Sequence, residues 1–232
     1  MDPRSKRAFK DALYEVFAGI GKALSSGRRL ELLEVLAQGE RSVEDLAEHA
    51  GLSVANASQH LQILRAARLV EVRKDGLFVR YRISNDRALR LWLALREFGE
   101  LEIAEIQRVV QNFLQDRDSL EAITVEGLRG RLRQRDVVLI DVRPELEYRS
   151  GHIRGAISVP LEELEHRVKQ LPKGKEIVAY CRGPYCVFAD EAVRLLRARG
   201  YLAKRLNQGF PEWKMLGLPT ETSEGGVHAA RN

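Results

Sequence analysis

Apolar residues recur at helical spacing in the first half of the chain. Between positions 5 and 24 they recur every three or four residues, with Val16 and Phe17 adjacent, at Phe9, Leu13, Val16, Phe17, Ile20 and Leu24. This spacing predicts an amphipathic helix. A second apolar helix is predicted over 28–37 and a long one over 86–116, whose apolar face exceeds what one small domain can cover. The helices 5–24 and 86–116 are therefore predicted to form the seam of a homodimer.

Two short helices are predicted between the long ones. Ser42 is a good N-cap with Asp45 three residues later, and Gly51 ends the first short helix. Ser53 caps the second, and two helices joined by a tight turn form a helix-turn-helix. In the second helix the residues expected to face inward are Val54, Ala57, Leu61 and Leu64, and the polar residues expected to face outward are Asn56, Ser58, Gln59 and Gln62.

The segment "LVEVRKDGLFVRYRIS" then changes to the alternation of a β-hairpin, with a strong turn signal at Asp75-Gly76. It predicts a two-stranded wing. From Arg65 to Arg90 the chain carries eight basic residues against three acidic ones, a local excess equal to the net charge of +5 of the whole chain. Such a stripe is typical of a polyanion partner, although most charge runs are only solvated faces.

Residues 1–117 resemble the ArsR family of winged-helix repressors, through "LSVANASQHLQILRAARLV" and the basic wing that follows. The resemblance implies a homodimer that binds double-stranded DNA, with an inverted-repeat operator expected from the two-fold symmetry. The outward residues of the recognition helix, Asn56, Ser58, Gln59 and Gln62, would then reach base edges or phosphate. The wing residues Arg73, Lys74, Arg80 and Arg82 would bind phosphate or the minor groove. No cysteine precedes position 181 and no histidine lies in 86–116, so the family's metal sites are not expected here.

The second half alternates short apolar strands with amphipathic helices. Strands are predicted over 137–142, 156–160, 176–180 and 202–207, and helices over 161–171 and 187–200. This order predicts an α/β domain with a parallel sheet, so the fold class is a mainly-α winged helix followed by an α/β domain. The predicted boundaries are a DNA-binding domain over 1–117, a hinge over 118–123, the α/β domain over 124–220 and a disordered tail over 221–232.

The stretch "CRGPYC" contains the chain's two cysteines, Cys181 and Cys186. Their number is too small for a disulfide scaffold, and C-x4-C with no histidine within ten residues is a poor zinc pattern, so no metal is expected. Cys181 follows a predicted strand and precedes a helix. The helix dipole, a nest of backbone N–H groups and the neighbouring Arg182 all favour a thiolate, which is the nucleophilic form. The alternative is a buried, inert cysteine.

The motifs "LIDVRPELEYRSGHIRGAISVP" and "LNQGFPEW" resemble the rhodanese homology domain over about 120–219. The resemblance implies that Cys181 carries sulfur as a persulfide, held by a loop formed by Arg182, Gly183, Pro184, Tyr185 and Cys186. Val187 stands where related phosphatases have a closing arginine, which favours sulfur over phosphate. Asp141, Arg143 and Glu147 belong to the opening motifs. Arg143 and Glu147 either orient a substrate or form an internal ion pair, and Cys186 is either a resolving thiol or a small residue that fits.

Together these patterns predict a DNA-binding regulator, a repressor, whose affinity for DNA changes when Cys181 reacts. A sulfane-sulfur donor is the first expected ligand, with general oxidants and thiophilic arsenic species next. The alternative is a working sulfurtransferase tethered to a DNA-binding domain, and a third interpretation is a partner-binding scaffold. No cofactor is expected. The absence of an 18-residue apolar run and of a signal-peptide pattern predicts a cytoplasmic protein without membrane contact.

Overall fold

The computed structural model describes residues 2–75, 78–114, 120–223 and 227–228. It divides into two compact units, Met1–Trp92 and Leu93–Asn232. This division falls earlier than the predicted domain end at residue 117. The predicted turn residue Gly76 and part of the predicted hinge and tail lie outside the described residues.

The first unit is a winged helix-turn-helix. Its elements are α1 (Pro3–Leu24), α2 (Gly27–Leu36), β1 (Arg41–Ser42), α3 (Val43–His49), α4 (Val54–Ala66), β2 (Val70–Asp75), β3 (Phe78–Ile83) and the start of α5 (Asp86–Glu102). Ser42 and Asp45 form the predicted capping box of α3, and the Ser53 hydroxyl accepts a hydrogen bond from the Asn56 amide at 3.3 Å at the start of α4. Leu32, Leu46, Leu61 and Leu64 are fully buried and form the centre of the core.

The wing has one strand more than the sequence predicted. Strands β2 and β3 form the expected antiparallel hairpin, with Val72 opposite Tyr81. The short strand β1 adds to its other edge, with Arg41 opposite Tyr81, so the order is β1-β3-β2. Tyr81 is buried because it lies in the central strand of this sheet.

The prediction of a single long helix over 86–116 is wrong. Helix α5 ends at Glu102, Ile103 takes an extended conformation, and α6 (Ala104–Phe113) begins after it. Gly99 shows how closely the two helices pack, because a Cβ atom added there would lie 2.8 Å from Cδ1 of Ile106. The continuous apolar spacing in the sequence did not reveal this break.

The second unit contains a five-stranded sheet in the order β4-β9-β8-β5-β7, whose recorded pairings are all parallel. Its elements are β4 (Ala122–Ile123), α7 (Val125–Gln134), β5 (Val137–Asp141), α8 (Glu145–Ser150), β6 (His152–Ile153), β7 (Ile157–Ser158), α9 (Leu161–Arg167) with a 3-10 turn (Val168–Gln170), β8 (Glu176–Tyr180), α10 (Val187–Ala198), β9 (Ala203–Leu206), α11 (Phe210–Met215), β10 (Thr220–Glu221) and β11 (Val227–His228). The predicted two-part fold class is confirmed.

Two segments that were predicted to be irregular, the hinge and the tail, contain short β-strands. Ala122 and Ile123 of the predicted hinge form β4, which pairs with β9, and Leu120 is buried. Glu221, in the predicted disordered tail, lies in β10, which pairs with β6 and β11. Both segments gain order by adding to an existing strand edge, which a local sequence pattern does not show.

Alternate side chains of the central strands pack on opposite faces of the sheet. On one face Ile140, Ile177 and Ala179 pack in a cluster with α10, and on the other Leu139 and Val178 pack in a cluster with α7 and α11. Strands β5 and β8 are adjacent, with Asp141 opposite Tyr180. Since the carboxyl ends of parallel strands meet at one edge, Asp141 and Cys181 come together there.

Candidate functional site

The loop "CRGPYC" connects the end of β8 to the start of α10. Cys181 is 2% exposed, Cys186 is half-buried, and the two are joined in a disulfide with their Cα atoms 6.2 Å apart. The Cys186 amide donates to the Gly183 carbonyl at 3.2 Å, and Cys186 is the N-cap residue of α10. The tight turn thus brings the two sulfur atoms together, and such a pair can exchange between dithiol and disulfide. The role of Cys186 as a resolving thiol stays a prediction.

Arg182 turns its side chain toward α8 and pairs with Glu147. Its Nη2 lies 2.6 Å from Glu147 Oε1 and its Nε 3.0 Å from the same oxygen. Glu147 is 1% exposed, so its carboxylate is compensated by this cation. The cation predicted to sit beside Cys181 is therefore engaged in bracing the loop against α8.

Asp141, Arg143 and Tyr180 form a buried network behind the loop. Arg143 donates from Nε to Asp141 Oδ1 at 3.0 Å and from Nη2 to Oδ2 at 2.6 Å, and Nη2 also donates to the Gly151 carbonyl at 2.7 Å. The Tyr180 hydroxyl donates to Asp141 Oδ2 at 2.5 Å and accepts from the Ile153 amide at 3.1 Å. Arg143 has no exposed surface, so the geometry favours the internal ion pair over contact with a substrate.

This network fixes the protonation of its members. Burial lowers the pKa of Arg143, but Asp141, Tyr180 and Glu147 together raise it by more, so the guanidinium stays charged. Burial and the Asp141 carboxylate raise the pKa of Tyr180 well above its ordinary value, so the hydroxyl stays a donor. The ends of β5 and β8 are thus held by a satisfied, charge-balanced set of contacts.

The rest of the predicted loop borders a groove. Pro184 is half-buried, and Val187, at the start of α10, is 37% exposed. Tyr185 and Val187 line a cavity of about 550 Å³ whose other walls are residues of α6 and the residue after it: Glu105, Ile106, Val109, Val110, Phe113 and Leu114. The groove is almost entirely apolar at its surface.

Sequence reasoning missed three residues of this site. Tyr180 was detectable, because it is a polar residue at the end of a buried strand and directly precedes Cys181. Glu212, in "GFPEW", lies in a quoted motif but had no assigned role. Arg96 gave no local signal, since it is one charged residue on an amphipathic helix, yet its Nη2 pairs with Glu212.

The outward face of α4 agrees with the helical prediction. Asn56, Gln59 and Gln62 are exposed, while Ser58 is half-buried. Ala57, Leu61 and Leu64 are fully buried as predicted, but Val54 is 46% exposed. The prediction for Val54 was wrong because the first residue of a helix lies beyond the core that the later turns cover.

The basic wing is partly paired. Arg73, Lys74 and Arg82 are exposed and Arg80 is half-buried. Arg82 Nε donates to Glu71 Oε1 across the hairpin at 2.6 Å, and Arg73 Nε lies 3.4 Å from Glu40 Oε1. The Arg82–Glu71 pair is exposed on both sides and therefore weak, whereas the Glu40 side chain of the Arg73 pair is only 20% exposed.

The part of the chain that the structure describes contains neither a metal-binding cluster nor a membrane-spanning helix. Within it, no group of three or more His, Cys, Asp or Glu side chains is placed to hold a metal ion. None of its helices is long and apolar enough to cross a bilayer.

Comparison with known families and proteins agrees with both halves. The model of the rhodanese-like domain matches residues 124–216, and that of the bacterial regulatory proteins of the arsR family matches residues 26–72. The HTH-type transcriptional regulator Rv0324 of Mycobacterium tuberculosis is 42% identical over 212 residues, which are 91% of this chain and 93% of that protein.

Two further relatives cover one half each. A sulfurtransferase of Allochromatium vinosum is 32% identical over 105 residues, 44% of this chain and 96% of that protein. The solution structure of the homodimeric winged helix-turn-helix DNA-binding domain (fragment 1–100) of Mb0332 from Mycobacterium bovis is 40% identical and covers 40% of this chain and 87% of that one, with a TM-score of 0.39. With a near full-length relative, both family models and the described fold in agreement, the chain belongs to the ArsR family of winged helix-turn-helix transcriptional regulators and carries a C-terminal rhodanese-like domain.

Proposed function

We propose that this regulator is a homodimeric repressor whose operator affinity is set by the chemical state of Cys181 and Cys186. One observation carries the proposal. The only two cysteines of a transcriptional regulator lie in one rhodanese-like loop, close enough to be joined. A chain with no other thiol has one place for thiol-based sensing.

The proposed reaction has two balanced steps. The Cys181 thiolate attacks the outer sulfur of an organic persulfide, so a Cys181 persulfide forms and the organic thiolate leaves. The Cys186 thiolate then attacks the Cys181 sulfur, so the disulfide forms and hydrosulfide leaves with the transferred sulfur. Two equivalents of a cellular thiol reduce the disulfide, become oxidised to a disulfide themselves and restore the dithiol.

The DNA-binding half of the proposal rests on the exposed polar face of α4 and on the wing. Asn56, Ser58, Gln59 and Gln62 would contact base edges or phosphate, and Arg73, Lys74, Arg80 and Arg82 would contact the backbone or the minor groove. The charged contacts give affinity that falls with salt, and the α4 contacts give sequence preference.

The proposed dimer rests on apolar surface that a single chain leaves exposed. Along α1, Phe9, Tyr14, Val16 and Phe17 are each more than half exposed, and Ala23 is the one buried residue of this helix. Exposed apolar surface of this extent is typical of an interface. The related Mycobacterium bovis domain is described as homodimeric, which supports a second copy as the occupant. A two-fold dimer would bind an inverted repeat.

The proposal is tested on the full chain with DNA that the reduced protein selects from a random double-stranded pool. On addition of an organic persulfide, the wild type should release the DNA and its intact mass should show loss of two hydrogens. Cys186→Ser should instead retain one added sulfur atom, because the second step is blocked. Wild-type protein that stays bound to DNA while its mass shows the disulfide would contradict the proposal.

A working sulfurtransferase is the second candidate, favoured by the similarity to the Allochromatium vinosum sulfurtransferase over 44% of this chain. It predicts repeated transfer of sulfur from thiosulfate to cyanide by the full chain, lost in Cys181→Ser. If each chain transfers a single sulfur atom and then stops, the sulfurtransferase function is excluded and only the proposed regulatory function remains.

A further inference from the structure

The second half of α5 lies against the cysteine loop, and both belong to the second compact unit. The Arg96 side chain is only 11% exposed and pairs with Glu100 (Nε to Oε1, 3.2 Å) and with Glu212. A Cβ atom added to Gly183 would lie 3.0 Å from Nη1 of Arg96. The guanidinium of Arg96 is therefore packed directly on the backbone of the loop.

Tyr185, the residue before Cys186, provides a second contact with α5. Its hydroxyl is buried beside Glu100. Burial raises the pKa of Glu100, while the charge of Arg96 and the neighbouring Tyr185 hydroxyl lower it by less. Tyr185 also lines the groove formed with α6. The loop thus contacts α5 at two points, Gly183 and Tyr185, which flank Pro184.

The turn before α11 also contacts the loop. A Cβ atom added to Gly209 would lie 2.3 Å from the carbonyl carbon of Arg182 and 2.4 Å from the amide nitrogen of Gly183, so only glycine fits there. The Phe210 amide donates to the Cys181 carbonyl at 3.2 Å, and the Gly209 amide donates to Glu212 Oε2 at 2.8 Å. Glu212 therefore connects this turn to Arg96, and both the turn and α5 contact the loop.

We propose that Arg96 and Glu100 are positioning residues through which α5 responds to the state of the Cys181–Cys186 pair. Opening the disulfide releases Cys186 from Cys181. Because Tyr185 precedes Cys186 in the chain, a movement of Cys186 also moves Tyr185. A shift of Tyr185 removes the donor beside Glu100 and changes the packing of Arg96. Helix α5 is unbroken from Asp86 to Glu102, and Ala88, Leu89 and Trp92 at its start are buried. This inference rests on the proposed function, because it concerns how that sensor acts.

Glu100→Gln and Arg96→Met in the full chain test the inference, with Glu102→Gln as the matched control, since Glu102 is an exposed residue of the same helix. Operator affinity is measured for the dithiol and the disulfide form of each protein, and intact mass verifies each form. The wild type and Glu102→Gln should show a ratio of roughly 5- to 150-fold between the two forms, the usual range of allosteric coupling. In Glu100→Gln and Arg96→Met the disulfide should still form, but this ratio should fall below about threefold.

The outcomes separate the two proposals. If the dithiol and disulfide forms of the wild type bind the operator with equal affinity, the proposed function is overturned, whatever the variants show. If the two forms of the wild type differ in affinity and both variants keep the same difference, the coupling role of Arg96 and Glu100 is overturned. The proposed function is then unaffected. Circular dichroism verifies that each variant is folded, and if Arg96→Met unfolds, Glu100→Gln alone decides, since it keeps the shape of the side chain.

Discussion

The face of α4 that would read DNA and the loop that would sense sulfur are built in different ways. The α4 face depends on one helix, and its exposed and buried residues follow from a repeat of 3.6 residues. The loop depends on residues far away in the chain. Arg182 pairs with Glu147 over 35 positions, and Arg96 pairs with Glu212 over 116. A substitution on α4 should therefore alter one contact, whereas one beneath the loop should disturb several.

The largest effect is expected at the buried ion pair behind the loop. Arg143→Met leaves the fully buried Asp141 carboxylate without its cation, which should lower the free energy of unfolding by about 3–5 kcal/mol. The control Arg149→Met breaks an exposed pair with Glu145 and should cost less than about 1 kcal/mol. Urea denaturation measures both. Equal losses of unfolding free energy in the two variants would show that the buried ion pair contributes no more to stability than an exposed one.

A smaller effect is expected for Tyr180→Phe, which removes a buried hydroxyl from Asp141 and should cost about 1–3 kcal/mol at neutral pH. The pKa of Tyr180 is raised in the folded chain, so its contribution is complete below the ordinary tyrosine pKa. It is lost as the pH rises, because the unfolded chain releases the proton first.

The stability difference between wild type and Tyr180→Phe should accordingly narrow as the pH rises through the range above about 10, the ordinary tyrosine pKa. A difference that stays constant across this range would show that the hydroxyl does not contribute through its proton.

On α4 the expected effect is on specificity, with stability unchanged. Gln59→Ala should weaken binding to the selected operator by about 1–3 kcal/mol and binding to random DNA by much less, because Gln59 is exposed on the reading face. Gln170→Ala, an exposed glutamine in the second unit, serves as the control. Mobility-shift titrations on both DNAs measure the ratio, and equal losses on the two would refute direct readout.

The smallest effect is expected in the wing. Lys74→Ala should weaken binding to operator and random DNA alike, and the slope of log affinity against log salt should decrease by about one. Anisotropy titrations over a salt series measure this slope. An unchanged slope would exclude Lys74 from the phosphate contacts.

The same contrast explains how much of the molecule was predictable. The helix-turn-helix, the capping box at Ser42 and the strand that precedes Cys181 follow from short-range patterns, and the structure contains them. The break at Ile103, the third wing strand and the partners of Arg182 depend on contacts between distant residues. Arg96 is the clearest case, because its charge and helical position are ordinary and only the fold brings it to Gly183.

In the proposed function the chemical state of Cys181 sets operator affinity. The most direct test is a titration of selected operator DNA with reduced wild type and reduced Cys181→Ser, before and after an organic persulfide and again after a thiol reductant. We expect the wild type to lose operator affinity by at least roughly fivefold and to recover it on reduction, while the affinity of Cys181→Ser should not change. Equal persulfide responses in both proteins, or no response in the wild type, would contradict it.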